Sequence, residues 1–212
     1  MGTILASALV TQAGTIAQDA GGTRWSSAEW LDWLNAGVRE IATFTDACVT
    51  VGNLALAAGT KQALPAQGLF LQDIIRNMGV DGATPGEAVR STTRLQLDSY
   101  NPAWQTDTAT LVVKNYVSDP KAPRVFYVYP PLSGATVVEA QYALLPAAVA
   151  LGQAIPVEDR YANPLLDYML YRGFSKDAEV EGMAARAVAH RAAMENSLGL
   201  TAQAATTTAE TP

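Results

Sequence analysis

Cysteine and histidine are almost absent: the 212-residue chain holds one of each, Cys48 and His190. A single cysteine excludes an intramolecular disulfide and any cysteine-based zinc site, and accords with a reducing compartment. A single histidine makes every Ser-His-Asp or Cys-His arrangement depend on His190. That residue follows Arg186 and precedes Arg191, with no carboxylate at a helical neighbour position to orient it, so it reads as a surface or inter-helix histidine. Cys48 stands at a strand start with no basic neighbour to lower its pKa, and reads as an inert buried thiol. Charge is sparse too, at 16% of residues with a net −6. An acidic balance argues against gripping nucleic acid through its phosphates. So few charges leave faces suited to subunit contact. No apolar run reaches the roughly 18 residues that a membrane span needs. The opening MGTILASALVTQAG lacks the basic start of a signal peptide and reads as a core helix. The expectation is a soluble protein made in the cytoplasm, with no membrane contact.

What the chain does have is helical punctuation at both ends. Ile4, Leu5, Ala8, Leu9 and Ile16 predict an amphipathic helix stopped by Gly21-Gly22. Ser26 and Glu29 have capping-box spacing, and Trp25 and Trp30 fall at hydrophobic-staple positions, so a helix is expected over 27–44. Near the C-terminus, NPLLDYMLYRGFSKDAEVEGMAARAVAHRAAMENSLGL predicts a helical hairpin. Asn163-Pro164 opens it. A second helix runs from about Asp177 to Leu198, with Asp177, Glu179 and Glu181 in its first turns where the dipole favours acids. Gly199 is its left-handed stop.

Between the helices the period changes to two. CVTVGNLALAAGTKQALP, broken at Gly59-Thr60, predicts a β-hairpin. GLFLQDIIRNM, LVVKNYV, RVFYVYP and ATVVEAQYALLP predict further strands. VDGATPGEAVR is a loop, and a helical turn precedes Asn101-Pro102, with Trp104 pinning that loop to the sheet. The fold class is therefore α+β: a helical bundle or hairpin from the two ends, a central antiparallel sheet or small sandwich, and an extended tail. The expected divisions are 1–47, N-terminal helices; 48–146, β-rich; 147–200, the hairpin packing on the N-terminal helices; and 201–212, an arm of Thr/Ala low complexity.

Catalytic motifs are missing: there is no phosphate-binding loop, nucleophile elbow, dinucleotide fingerprint or HExxH. Carboxylates are the only group that could build a site, with Glu29, Asp32 and Glu40 on one helix and Asp177, Glu179 and Glu181 opening another. Their spacing matches no metal motif, so neither metal nor cofactor is expected, and the chain does not read as an enzyme.

AAGTKQALP, LDSYNPAW, DPKAPRVFYVYPP, YALLP and YANPLLDYMLYRGFSKDAE follow one another in that order. The series resembles the head-to-tail adaptor (connector) proteins of tailed bacteriophages, over Trp25 to Gly199. The resemblance implies a homo-oligomeric ring, usually a dodecamer, seated beneath the portal protein at the capsid vertex. Such a ring continues the DNA channel without sequence-specific binding and offers a platform to a tail or nozzle protein. It implies a virion component at the head-tail interface, made in the bacterial host. In that frame the C-terminal arm reaches the portal through Thr201, Ala202, Gln203, Thr206, Thr207, Thr208, Glu210 and Pro212. The acids Asp177, Glu179 and Glu181 line the channel. The competing reading is a carbohydrate- or ligand-binding β-sandwich module of a tail protein, with Trp104, Tyr127 and Tyr129 as an exposed sugar platform.

Overall fold

A computed structural model of the chain describes residues 2–200. They form two compact units. One joins the residues before Cys48 to those from Pro146 onward, and the other spans Cys48–Leu145. The class is α+β.

The first unit is helical. Helix α1 (Ala6–Ile16) buries Ala6, Leu9, Val10 and Ala13. It stops earlier than the Gly21-Gly22 pair predicts, because Gln18 itself turns left-handed (φ 59°) and the Asp19 amide bonds back to the Gly14 carbonyl at 2.8 Å. Helix α2 (Ser27–Phe44) carries the capping box read from its sequence, with the Ser26 side chain accepting from the Glu29 amide and Glu29 accepting from the Ser26 amide. Trp25 and Trp30 close the staple edge-to-face at 5.4 Å. Helix α4 (Ala162–Lys176) packs on α2 at glycine contacts from both sides. A Cβ at Gly37 would lie 2.9 Å from the Tyr168 ring, and one at Gly173 would lie 3.0 Å from Trp30. Helix α5 (Met183–Ser197) returns along α4 and is stopped by Gly199 at φ +71°.

Segment 146–157 straps this unit together. The Ala6 and Ser7 amides, among the unpaired donors that open any helix, bond to the Gln153 and Leu151 carbonyls at 2.9 and 3.0 Å. Buried Asn35 reaches out of α2 and holds Val149 at both ends, donating to its carbonyl (3.1 Å) and accepting from its amide (2.9 Å).

The second unit stacks two sheets. One has the order β1-β7-β3, from strands β1 (Val49–Leu56), β3 (Gly68–Asn77) and β7 (Thr136–Leu144). The other has the order β2-β6-β5-β4, from β2 (Gly59–Ala63), β4 (Arg90–Ser91), β5 (Asn115–Ser118) and β6 (Val125–Leu132). All pairings are antiparallel except β4 with β5. Alternate residues of β6 and β7, among them Phe126, Val128, Val138 and Ala140, enter one core with Leu54, Ile74 and Tyr116. That alternation is what a half-buried strand requires.

Three expectations change here. The 48–64 stretch is not a hairpin: β1 pairs with β7, from Val49↔Ala143 to Leu56↔Thr136, while β2 pairs with β6. The chain changes sheets at Ala57-Ala58, and a buried side chain makes the corner. Gln62 accepts from the Ala57 amide (2.9 Å) and donates to the carbonyls of Ala57 (2.8 Å) and Gly59 (3.2 Å), replacing the pairs a hairpin would have made. Second, LVVKNYV is a strand only in its latter half. Leu111 and Val112 are exposed in a turn where the Thr110 hydroxyl donates to the Val112 carbonyl at 2.9 Å. Third, α4 begins at Ala162 after a short 3-10 turn, Asp159–Tyr161, with no side-chain cap, so Asn163 is not its N-cap. Pro164 still falls in the first turn, where its missing N–H costs nothing.

Helix α3 (Arg94–Tyr100) is the turn expected before Asn101-Pro102, opened by a Thr93–Gln96 capping box. Trp104 anchors the segment that follows, as its sequence suggested. Its ring lies edge-on to Tyr127 and Tyr129, and its Nε1 donates to Asp98 at 2.8 Å.

Candidate functional site

The hairpin α4–α5 holds the only histidine and three of the six acids singled out above, the other three lying on α2. His190 Nδ1 lies 2.8 Å from Asp167 Oδ1, a carboxylate supplied by the facing helix rather than by its own. The pair is an inter-helix tie. Arg191 spans two helices as well, bonding to Glu195 (2.6 Å) on its own turn and to Glu40 (3.0 Å) on α2. Lys176 pairs with Glu29, closing the end of α4 onto the start of α2.

The acidic segment is not the first turn of α5. Gly182, left-handed at φ +80°, delays that helix to Met183, and no acid occupies its first turn. The dipole argument therefore fails for Asp177, Glu179 and Glu181, which form the connecting turn. Asp177 in fact caps the C-terminus of α4, where the dipole disfavours an anion. The Arg24 guanidinium beside it supplies the compensating charge. Glu179 and Glu181 are exposed.

Three of the six acids considered as metal ligands are matched by cations: Glu29 by Lys176, Glu40 by Arg191, Asp177 by Arg24. Lys176 and the Ser26 amide hold the Glu29 carboxyl below its ordinary range. Among the described residues no three His, Cys, Asp or Glu side chains converge as metal ligands would. Burial pushes the Cys48 thiol up, away from the reactive thiolate.

The aromatic platform is also not as expected. Stacking on a sugar needs an open ring face, and Trp104 is 2% exposed. The Tyr129 hydroxyl donates to Asp107 at 3.0 Å, a bond that holds its pKa up. These rings fasten the 94–107 segment to β6. The arm residues Thr201, Ala202, Gln203, Thr206, Thr207, Thr208, Glu210 and Pro212 lie outside the described residues.

What the hairpin does present is an apolar groove of about 400 Å³ between its helices. Tyr171 and Ser175 of α4 and Ala184, Ala187, Val188 and Ala192 of α5 line it. Val188, 70% exposed, stands at its mouth. Small side chains at this spacing let another helix approach closely. No helix among the described residues is long and apolar enough to cross a membrane.

Three of the six candidate acids and the histidine are thus tied within the fold, and the hairpin leaves one apolar helix face open. A family model described as SU10 adaptor protein matches residues 5–212, so the chain belongs to this family of phage head-to-tail adaptors. No curated protein matches the chain. Membership makes it a phage structural protein of the head-tail junction, where portal and tail proteins are the partners.

Proposed function

We propose that copies of this chain form a closed, dodecameric ring below the portal, extend the DNA channel and carry the tail or nozzle protein. The observation that carries the reading is the family match over 5–212, nearly the whole chain. The groove of the α4–α5 hairpin supports it, because a head-to-tail ring needs an outward face that accepts a different surface of the next copy. In this ring the protein performs no reaction. The arm 201–212 docks on the portal, and the turn holding Asp177, Glu179 and Glu181 faces the bore. Exposed Glu179 and Glu181 then repel DNA phosphates within the roughly 8–10 Å that salt allows. Asp177, neutralised by Arg24, contributes least. Each copy brings a formal −6 to the assembly.

Native mass spectrometry and electron microscopy of the chain mixed with its portal test the ring. A stable ring on the portal is the expected result, and a chain that stays monomeric with portal present overturns the reading. Deleting 201–212 is expected to weaken portal docking with the fold intact; full docking by the shortened chain removes the arm's role.

A further inference from the structure

A bare sheet edge pairs with any extended chain that meets it, and folds normally blunt such edges. Three of the four edges in the β-rich unit are blunted. β3 carries three register shifts along β7. The segment 86–89 also covers its outer side: the Val89 amide donates to the Ile75 carbonyl (3.1 Å), the Asn77 amide to Glu87 (2.9 Å) and the Gly86 amide to Asn77 (2.8 Å). β2 has a register shift and an exposed Lys61. β4 is two residues long and includes exposed Arg90.

β1 has none of these devices. It is eight residues long, VTVGNLAL, with neither charge nor proline, and its register with β7 is unbroken. Among the described residues no backbone hydrogen bond reaches it from the side away from β7. Thr50 and Val51 are exposed, Val51 by 54%. Gly52 stands in the middle, and a glycine there weakens a strand unless a bulge, a bend or a close approach requires it. The unbroken register excludes a bulge, and Gly52 is not left-handed. The corner to β2 comes later, after Leu56. A Cβ on Gly52 would meet nothing within 4 Å. Gly52 pairs with Ala140 and Ala140 with Ile74, on the face that carries Leu54 and Leu56 into the core. That row shrinks from Ile74 through Ala140 to Gly52 and ends in open space beside the bare edge.

We propose that β1 is the docking edge for an extended segment of the tail protein, with an aromatic side chain set opposite Gly52. The segment's main chain supplies the ladder bonds that the edge lacks. An aromatic across from an edge glycine covers the backbone that the glycine leaves bare, and here it extends the core row ending at Gly52. This requirement excludes self-pairing, because neither β1 nor 201–212 contains an aromatic residue. Portal and tail proteins are the family's partners. Choosing the tail protein rests on the function proposed above, which gives the portal to the arm.

The edge is tested on the free full chain, so its failure is read separately from that of the ring. Short extended peptides of alternating Thr and Val, with Phe, Ala or Pro at the centre, are titrated while NMR follows exchange of the 49–56 amides. The Phe peptide is expected to protect them saturably. The Ala peptide should need about fivefold more, the factor that ~1 kcal/mol of cross-strand pairing yields, and the Pro peptide should give no protection. Unchanged exchange with the Phe peptide, or equal protection by the Ala or Pro peptide, overturns the proposal. Gly52→Val fills the open space and is expected to melt no lower than the natural chain while abolishing the preference for Phe. A preference that survives this change overturns the seat at Gly52. The partner is identified in assembled particles carrying photoreactive benzoylphenylalanine in place of Val51. Crosslinking to the tail protein is expected; crosslinks only to the portal or to a second copy, or none at all, overturn the assignment.

Discussion

Asn77 should be among the most costly residues to truncate in the β-rich unit. It ends β3, is buried, and its side chain grips two loops: Nδ2 donates to the carbonyls of Glu87 (2.9 Å) and Val113 (2.8 Å), while Oδ1 accepts from the Val113 amide (2.8 Å). In Asn77→Ala, Glu87 keeps its bond from the Asn77 amide. Val113, fully buried, loses the partners of both its N–H and its C=O. At about 1–3 kcal/mol for each buried group left unpaired, with partial relaxation, the expected loss is ~2–4 kcal/mol. Against a total of about 5–15 kcal/mol this is a large fraction. Hydrogen exchange localises the effect: the Val113 amide should lose protection far more than those of α2, and the urea midpoint of the β-rich unit should fall. Asn77→Asp gives an independent check. It keeps an acceptor for Val113 but buries a carboxyl, whose folded pKa should rise above its unfolded value. That variant should be closest to wild type below the unfolded pKa and lose stability as pH rises through the folded one. An alanine variant within ~0.5 kcal/mol of wild type, with Val113 exchange unchanged, would refute the reasoning.

Three further outcomes follow from the helical unit. Gly37→Ala gains helix propensity of about 1 kcal/mol but pushes a methyl to 2.9 Å from the Tyr168 ring, an overpacking cost of about 1–3 kcal/mol. A lowered Tm is expected, partly restored by Tyr168→Leu, and a raised Tm would contradict the close contact. Glu29, Asp19 and Asp159 all have carboxyls held down, chiefly by Lys176, the Trp25 amide and the Thr3 hydroxyl respectively. Their stabilisation is complete above the unfolded values of 4.5 for Glu29 and 3.8 for the two aspartates, and is lost as pH falls through the depressed folded values. Melting between pH 6 and pH 3 should therefore be less acid-sensitive in Glu29→Gln than in wild type; identical slopes would remove Glu29 from the account. Asn35→Ala should free Val149 from α2 and cost about 1–3 kcal/mol, read as faster exchange of the Val149 amide; unchanged exchange would show that the strap holds without Asn35.

Local chemistry was readable wherever neighbours in sequence settle it. The Ser26–Glu29 box, the Trp25–Trp30 staple, the Gly199 stop and the alternation of β6 and β7 all depend on residues within a few positions of one another. The family resemblance was legible for the same reason, being carried by short ordered motifs. The acidic turn was misplaced because Gly182 and the acids before it compete for the start of α5. The dipole rule cannot decide where that helix begins.

Other features arise only from residues far apart in the chain. Asp167 reaches His190 and Glu40 reaches Arg191 because α4, α5 and α2 are packed side by side. The three buried carboxamides show the division most plainly. Asn35, Gln62 and Asn77 are ordinary polar residues to any sequence pattern, yet each is buried and clamps backbone that has left its sheet or helix. Periodicity and capping are local, so the sequence by itself determined the helices, most strands and the adaptor family. Which strand crossed to the other sheet, where the acids stand, and which sheet edge stays open were decided by tertiary packing, since burial and hydrogen-bond partners exist only once distant segments meet.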